Sequence, residues 1–118
     1  MINNTQTGIY GQEKAIKFLC KKGMILLSSN FKAPSGEIDL IMKDGAYIAF
    51  VEVKYRRTLS FGLPRESINY RKQNRIKNTA LHYVAYLQLQ NQDFRFDTVE
   101  LFETKEGLVV SHIENAFW

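Results

Sequence analysis

Residues 36–55 constrain the fold of this chain most: Gly36-Glu37-Ile38-Asp39-Leu40-Ile41, then Asp44-Gly45, then Phe50-Val51-Glu52-Val53-Lys54. Asp-Gly between two apolar runs favours a tight primed turn, so the segment predicts a β-hairpin with arms at 37–42 and 47–55. With Asp44-Gly45 as a two-residue loop, Lys43 faces Ala46, Asp39 faces Phe50 and Glu37 faces Glu52. Side chains alternate along a strand, which puts Glu37, Asp39, Ile41, Ile48, Phe50, Glu52 and Lys54 on one face. Ile38, Leu40, Met42, Tyr47, Ala49, Val51 and Val53 take the other, wholly apolar face. Unpaired charge is costly to bury. A face that mixes acids with Ile41, Ile48 and Phe50 suggests a partly covered cleft; the plainer alternative is a solvent-facing pair of strands with ordinary surface charges.

In that register Asp39 and Glu52 are diagonal neighbours, roughly 7 Å apart at Cβ. Two carboxylates so placed can share a hard cation such as Mg²⁺ or Mn²⁺. Lys54, two residues beyond Glu52 on the same face, can stabilise developing negative charge or assist an attacking water. The pattern points to metal-assisted hydrolysis.

The 118 residues suit one domain spanning 1–118, and 45% hydrophobic residues suffice for a packed core. Residues 9–22 predict a helix in which Ala15, Ile16, Leu19 and Cys20 face inward, with Gly23 as its stop. Residues 24–29 predict a strand and 30–35, with Pro34, a turn. The Gly- and Pro-containing stretch 59–64 reads as a loop. Residues 67–90 predict a long helix with Ile76, Ala80, Val84 and Leu87 on its buried stripe, Tyr83 beside them, and Lys72, Arg75 and Thr79 on another face. Residues 94–102 and 108–112 predict two further strands; Phe94, Phe96, Thr98, Glu100 and Phe102 share one face of the first, and Arg95, Asp97, Val99 and Leu101 the other. The closing aromatics Phe117 and Trp118 read as a core cap or a subunit contact.

Arg95 and Asp97 read as a structural pair, Cys20 as a small core residue, and neither His82 nor His112 has zinc-site spacing. Sixteen Lys and Arg against twelve Asp and Glu, a net +4, favour anionic partners such as nucleic acid. The long helix starts just beyond the hairpin, so its basic residues are candidates for phosphate contact. A polar start without a signal-peptide pattern, no bilayer-length apolar run and a single cysteine predict a cytoplasmic protein with no membrane association.

Gly36-Glu37-Ile38-Asp39-Leu40-Ile41, Phe50-Val51-Glu52-Val53-Lys54-Tyr55-Arg56, Phe61-Gly62, Lys72 and Arg95-Phe96-Asp97 together resemble the YraN family, also called the uncharacterised UPF0102 family. That family resembles the PD-(D/E)XK nucleases, particularly archaeal Holliday-junction resolvases. The resemblance implies an α/β fold: a three-layer α-β-α, restriction-endonuclease-like core with a central mixed β-sheet. By position, Asp39 and Glu52 would be metal ligands and Lys54 the catalytic lysine, with Glu37 a possible accessory acid. Gln12 stands where the family often has a helix-one glutamate; it would be a weak ligand, or Glu13 would substitute from about 100° around the helix. Arg56, Arg57, Arg71, Lys72 and Arg75 are the expected nucleic-acid contacts. The implied activity is Mg²⁺- or Mn²⁺-dependent cleavage of DNA, branched or flapped, by a homodimer. The alternative is a non-catalytic DNA-binding or protein-interaction module on the same fold.

Overall fold

The computed structural model describes residues 4–56, 69–89 and 92–117, with side chains from residue 8 onward. Elements follow in the order α1 (Asn4–Lys21), β1 (Ile25–Ala33), β2 (Gly36–Asp44), β3 (Tyr47–Arg56), α2 (Tyr70–Tyr86), β4 (Asp93–Thr104) and β5 (Gly107–Ile113). The strands form a five-stranded mixed sheet in the order β1-β2-β3-β4-β5. Only the β3–β4 pair is parallel, and α2 lies in the connection between those strands, as a parallel crossover requires. The chain is therefore α/β.

The core lies on both sides of the sheet. Ile76, Ala80 and Tyr83 of α2 pack on Ile38, Ile41, Ile48, Phe50 and Phe96. Ala15 and Leu19 of α1 pack on Leu40, Met42, Ala49, Val51, Val99 and Leu101. Burying each such aliphatic or aromatic side chain contributes about 1.5–3 kcal/mol. α1 ends as the sequence predicts. Gly23 takes the left-handed φ of +94°, Met24 N–H reaches back to Leu19 O and Gly23 N–H to Cys20 O.

Several details differ from expectation. The hairpin loop is Gly45-Ala46, because Asp44 pairs with Tyr47 and Ile41, not Asp39, faces Phe50. β1 runs on through Ala33, since its pairing with β2 satisfies the backbone of 30–33; only Pro34 and Ser35 turn. Cys20 is exposed, one helical step past fully buried Leu19. Leu87 caps α2 and is 45% exposed, whereas Thr79 is fully buried, its hydroxyl bonded to Arg75 O and Ser35 Oγ. Of the two readings of the closing aromatics, Phe117 follows the core cap, buried against Phe96. Ile38 joins the α2 side with Ile41. Strict alternation fails at the point where β2–β3 pairing ends, beyond Leu40 and Val51. The 59–64 loop, Arg57 and Trp118 lie outside the described residues.

Gly11 sets how closely α1 approaches the sheet. A Cβ at this buried position would lie 2.9 Å from Tyr55 Cβ, whereas one at Gly8 meets nothing within 4 Å. Ala is favoured over Gly in a helix by about 1 kcal/mol, while overpacking costs roughly 1–3 kcal/mol. Urea unfolding should show Gly11→Ala destabilised by about 1 kcal/mol and Gly8→Ala stabilised by up to about 1 kcal/mol.

Candidate functional site

The carboxylates meet where β2 and β3 part. Asp39 and Glu52 each lie one residue beyond the last β2–β3 pair, Leu40–Val51. Asp39 Oδ2 there accepts the Val53 N–H at 2.8 Å. The side chain thus takes over a backbone donor at the point where β2–β3 pairing ends. Glu52 is 7% exposed and follows Phe50 on the α2 side of β3. Burial and the charge of Glu52 push the Asp39 carboxyl up to about 7, against the opposing pull of the Val53 N–H and Lys72. A pair of acids that raises one partner's proton affinity in this way is a site short of positive charge.

Two lysines answer it. Lys72, in the first turn of α2, places Nζ 2.5 Å from Glu52 Oε1. Asn69 fixes that turn by accepting the Lys72 N–H at 2.8 Å. Lys54 is half-buried on β3, and burial, with Lys72 and Arg56 nearby, lowers its pKa, while Glu100 and Glu52 pull the other way. The structure therefore gathers Asp39, Glu52, Lys54 and Lys72.

Other expected residues stand further out. Gln12 donates through Nε2 to Asn30 Oδ1 at 2.9 Å. Asn30 falls opposite Asp39 in the β1–β2 register, between the pairs Ser29–Leu40 and Phe31–Ile38, so Gln12 borders the site through an amide. Glu13 is exposed, one residue further around α1. Glu37 is exposed and adds to the charge felt by Asp39. It lines a cleft of about 200 Å³ with Gly36, Lys72, Arg75 and Ile76. Arg71 and Arg75 are exposed on α2, and Arg56 closes β3. Tyr55, adjacent to Lys54 in sequence, packs with the α1-side core instead and donates to Glu103 at 3.1 Å.

Glu100 is the residue that hairpin reasoning misses. It is 3% exposed and pairs across the parallel β3–β4 ladder with Lys54. Its signal was present: Glu100 shares the strand face of Phe96, which is the face that packs on α2. Asn30 was missed because 30–35 read as a turn; its φ of +54° is the remaining trace of that irregularity.

Among the described residues no group of three or more His, Cys, Asp and Glu side chains could hold a metal ion. Two carboxylates still fit Mg²⁺, which keeps several waters and binds through one or two carboxylates plus substrate phosphate. No described helix is long and apolar enough to cross a membrane.

A second polar cluster lies on the α1 side. Asp97, fully buried, accepts from Arg95 Nε at 2.9 Å and from His112 Nε2 at 2.8 Å, and Arg95 also reaches Asp44 at 2.9 Å. The expected Arg95–Asp97 pair is present, and His112 extends it.

Residues 11–101 match the model of the family described as "Uncharacterised protein family UPF0102". A UPF0102 protein of Dictyoglomus turgidum is 42% identical over 98% of this chain and 100% of its own length. One from Caldicellulosiruptor bescii is 46% identical over the same shares. A third, from Alkaliphilus metalliredigens, is 44% identical over 93% of this chain and 96% of its own. With a family match over most of its length and relatives this similar end to end, the chain belongs to the UPF0102 family.

Proposed function

We propose that this chain is a metal-dependent phosphodiesterase acting on DNA, with a restriction-endonuclease-like core and a preference for branched or flapped forms. One observation carries the reading: Asp39, bonded to the Val53 N–H, and Glu52, held by Lys72, come together where β2 and β3 part, and burial, then the charge of Glu52, raises the Asp39 carboxyl to about 7. A charge-deficient carboxylate pair beside a half-buried lysine suits a cation and a phosphate better than it suits a structural role. The mixed sheet, with α1 on one face and α2 on the other, is the layering such a core needs.

Asp39 and Glu52 would hold Mg²⁺ or Mn²⁺, which when bound activates water and polarises the phosphate. Lys54 places positive charge where the phosphate develops negative charge. Arg71 and Arg75, exposed on α2, and Arg56 at the end of β3 contact backbone phosphates, which orients the strand without reading base identity. A homodimer would supply the two sites needed to cut symmetric strands.

A second reading has its own support. Gln12 meets Asn30 rather than offering a third acid, which leaves a module that binds DNA without cutting it. Incubating purified protein with junction, flap and duplex DNA plus Mn²⁺ separates the two. Cutting should fall at least 100-fold in Asp39→Ala and in Lys54→Ala, both folded. Equal residual cutting in both variants would mean contamination, and salt-dependent binding indifferent to EDTA would favour the binding module.

A further inference from the structure

Lys72, in the first turn of α2, points to the acids. Its Nζ is 2.5 Å from Glu52 Oε1, yet its side chain is 44% exposed while that of Glu52 is 8% exposed. The Lys72 backbone is pinned by the Asn69 cap. Only the flexible four-carbon stem is free to swing. Outward from the contact lies the cleft lined by Glu37, Lys72 and Arg75. Lys72 thus has an inward partner, a buried carboxylate, and an outward position on the basic start of α2.

We propose that Lys72 is a resident competitor for the metal, its ammonium holding Glu52 until a divalent cation displaces it towards substrate phosphate. The proposal rests on the metal-site reading above. A single ammonium bonded to one oxygen of Glu52 leaves the Asp39–Glu52 repulsion only partly offset. A divalent cation shared by both carboxylates removes that repulsion but must first break the Lys72 contact. Once displaced, Lys72 adds a positive charge beside Arg75 on the outer cleft. Metal and DNA therefore bind with positive coupling, and by linkage each tightens the other by the same factor.

Isothermal titration of Mn²⁺ into the full chain without nucleic acid tests this. Lys72→Met keeps the apolar stem, removes the competing charge, and should bind Mn²⁺ about tenfold more tightly than wild type. Lys72→Arg keeps the charge and should stay within about threefold of wild type, while Asp39→Asn should bind at least tenfold more weakly. DNA affinity of wild type should rise with Mn²⁺, and that of Lys72→Met should gain less. If wild type binds Mn²⁺ through Asp39 but Lys72→Met binds it no more tightly, the competitor role is wrong and the metal site stands. If neither wild type nor Lys72→Met binds Mn²⁺ at millimolar concentration, the metal-site reading fails and the competitor role with it.

Discussion

Asp39→Asn should make the protein more stable at pH 8 and leave it little changed near pH 4. Burial and Glu52 push the Asp39 carboxyl from its ordinary value up to about 7 in the folded chain. Between those values the folded state binds more protons than the unfolded chain, so stability falls as pH rises through that window. Above about 7 the fold carries an ionised pair that the unfolded chain does not have to hold together. The shift alone bounds the gain at about 4 kcal/mol. Partial exposure and the charge of Lys72 bring the expectation to about 2 kcal/mol, or roughly 5–10 °C in Tm. Asparagine carries no charge, and its Oδ1 can still accept the Val53 N–H that Asp39 Oδ2 accepts at 2.8 Å. Thermal unfolding of both proteins at pH 4 and pH 8 measures the effect, and an unchanged or lower Tm at pH 8 would show that Asp39 imposes no strain on the fold. The same variant should lose Mn²⁺-dependent cutting at least 100-fold. A residue whose removal stabilises the fold while abolishing activity is held there for chemistry.

The faces of the hairpin were legible in the sequence even though its register was not. The observed loop shifts the pairing so that Ile41, not Asp39, meets Phe50. Side chains repeat every two residues along a strand, so a displacement of this size changes neighbours but leaves each residue on its side. Phe50 and Ile41 therefore pack against α2 as expected. Asp39 and Glu52 each fall one residue beyond the last pair, Leu40–Val51. Ile38 shows the limit of the rule: it joins the α2 side with Ile41 just past the point where pairing with β3 stops at Leu40. Helix phase was legible from Ala15, Leu19, Ile76 and Ala80 but blurred at the margins of the stripe, where Cys20 and Leu87 turn out exposed. The strand face of Glu100 was legible, but which distant segment each face would meet was not. Nothing near Lys54 in sequence announces Glu100 across the parallel ladder, and nothing near Glu52 announces Lys72. The same holds for His112, which lies across β4–β5 from Val99 and reaches Asp97.

That last contact belongs to the residue whose loss should damage the fold most. Asp97→Ala should cost about 3–5 kcal/mol, because it strands a buried guanidinium. Arg95 is 5% exposed and grips Asp97 through Nε at 2.9 Å and through its terminal nitrogen at 2.9 Å. It keeps Asp44 and the face of Tyr47 as further partners, which do not replace a fully buried counter-ion. Asp97 also accepts the Asn115 N–H at 3.2 Å, next to the Ala116 N–H bond to Phe96 O at 2.7 Å. The two bonds hold the chain that delivers Phe117 to the core on the opposite side of the sheet. Burial alone would raise the Asp97 carboxyl, but bonds from His112, Arg95 and the Asn115 N–H outweigh it and hold it below the usual carboxylate range. Its contribution is therefore complete above the unfolded value of about 3.9 and is lost as pH falls through the lower folded value. Guanidinium unfolding should show the Asp97→Ala deficit in full at pH 7 and a smaller one at pH 2. Replacing both partners, as in Arg95→Met with Asp97→Leu, should recover more than half of the loss, since no charge is then left buried alone. A single-variant loss below about 1 kcal/mol would mean that water or Asp44 already satisfies Arg95, and that the network orders the C-terminal turn without stabilising the sheet.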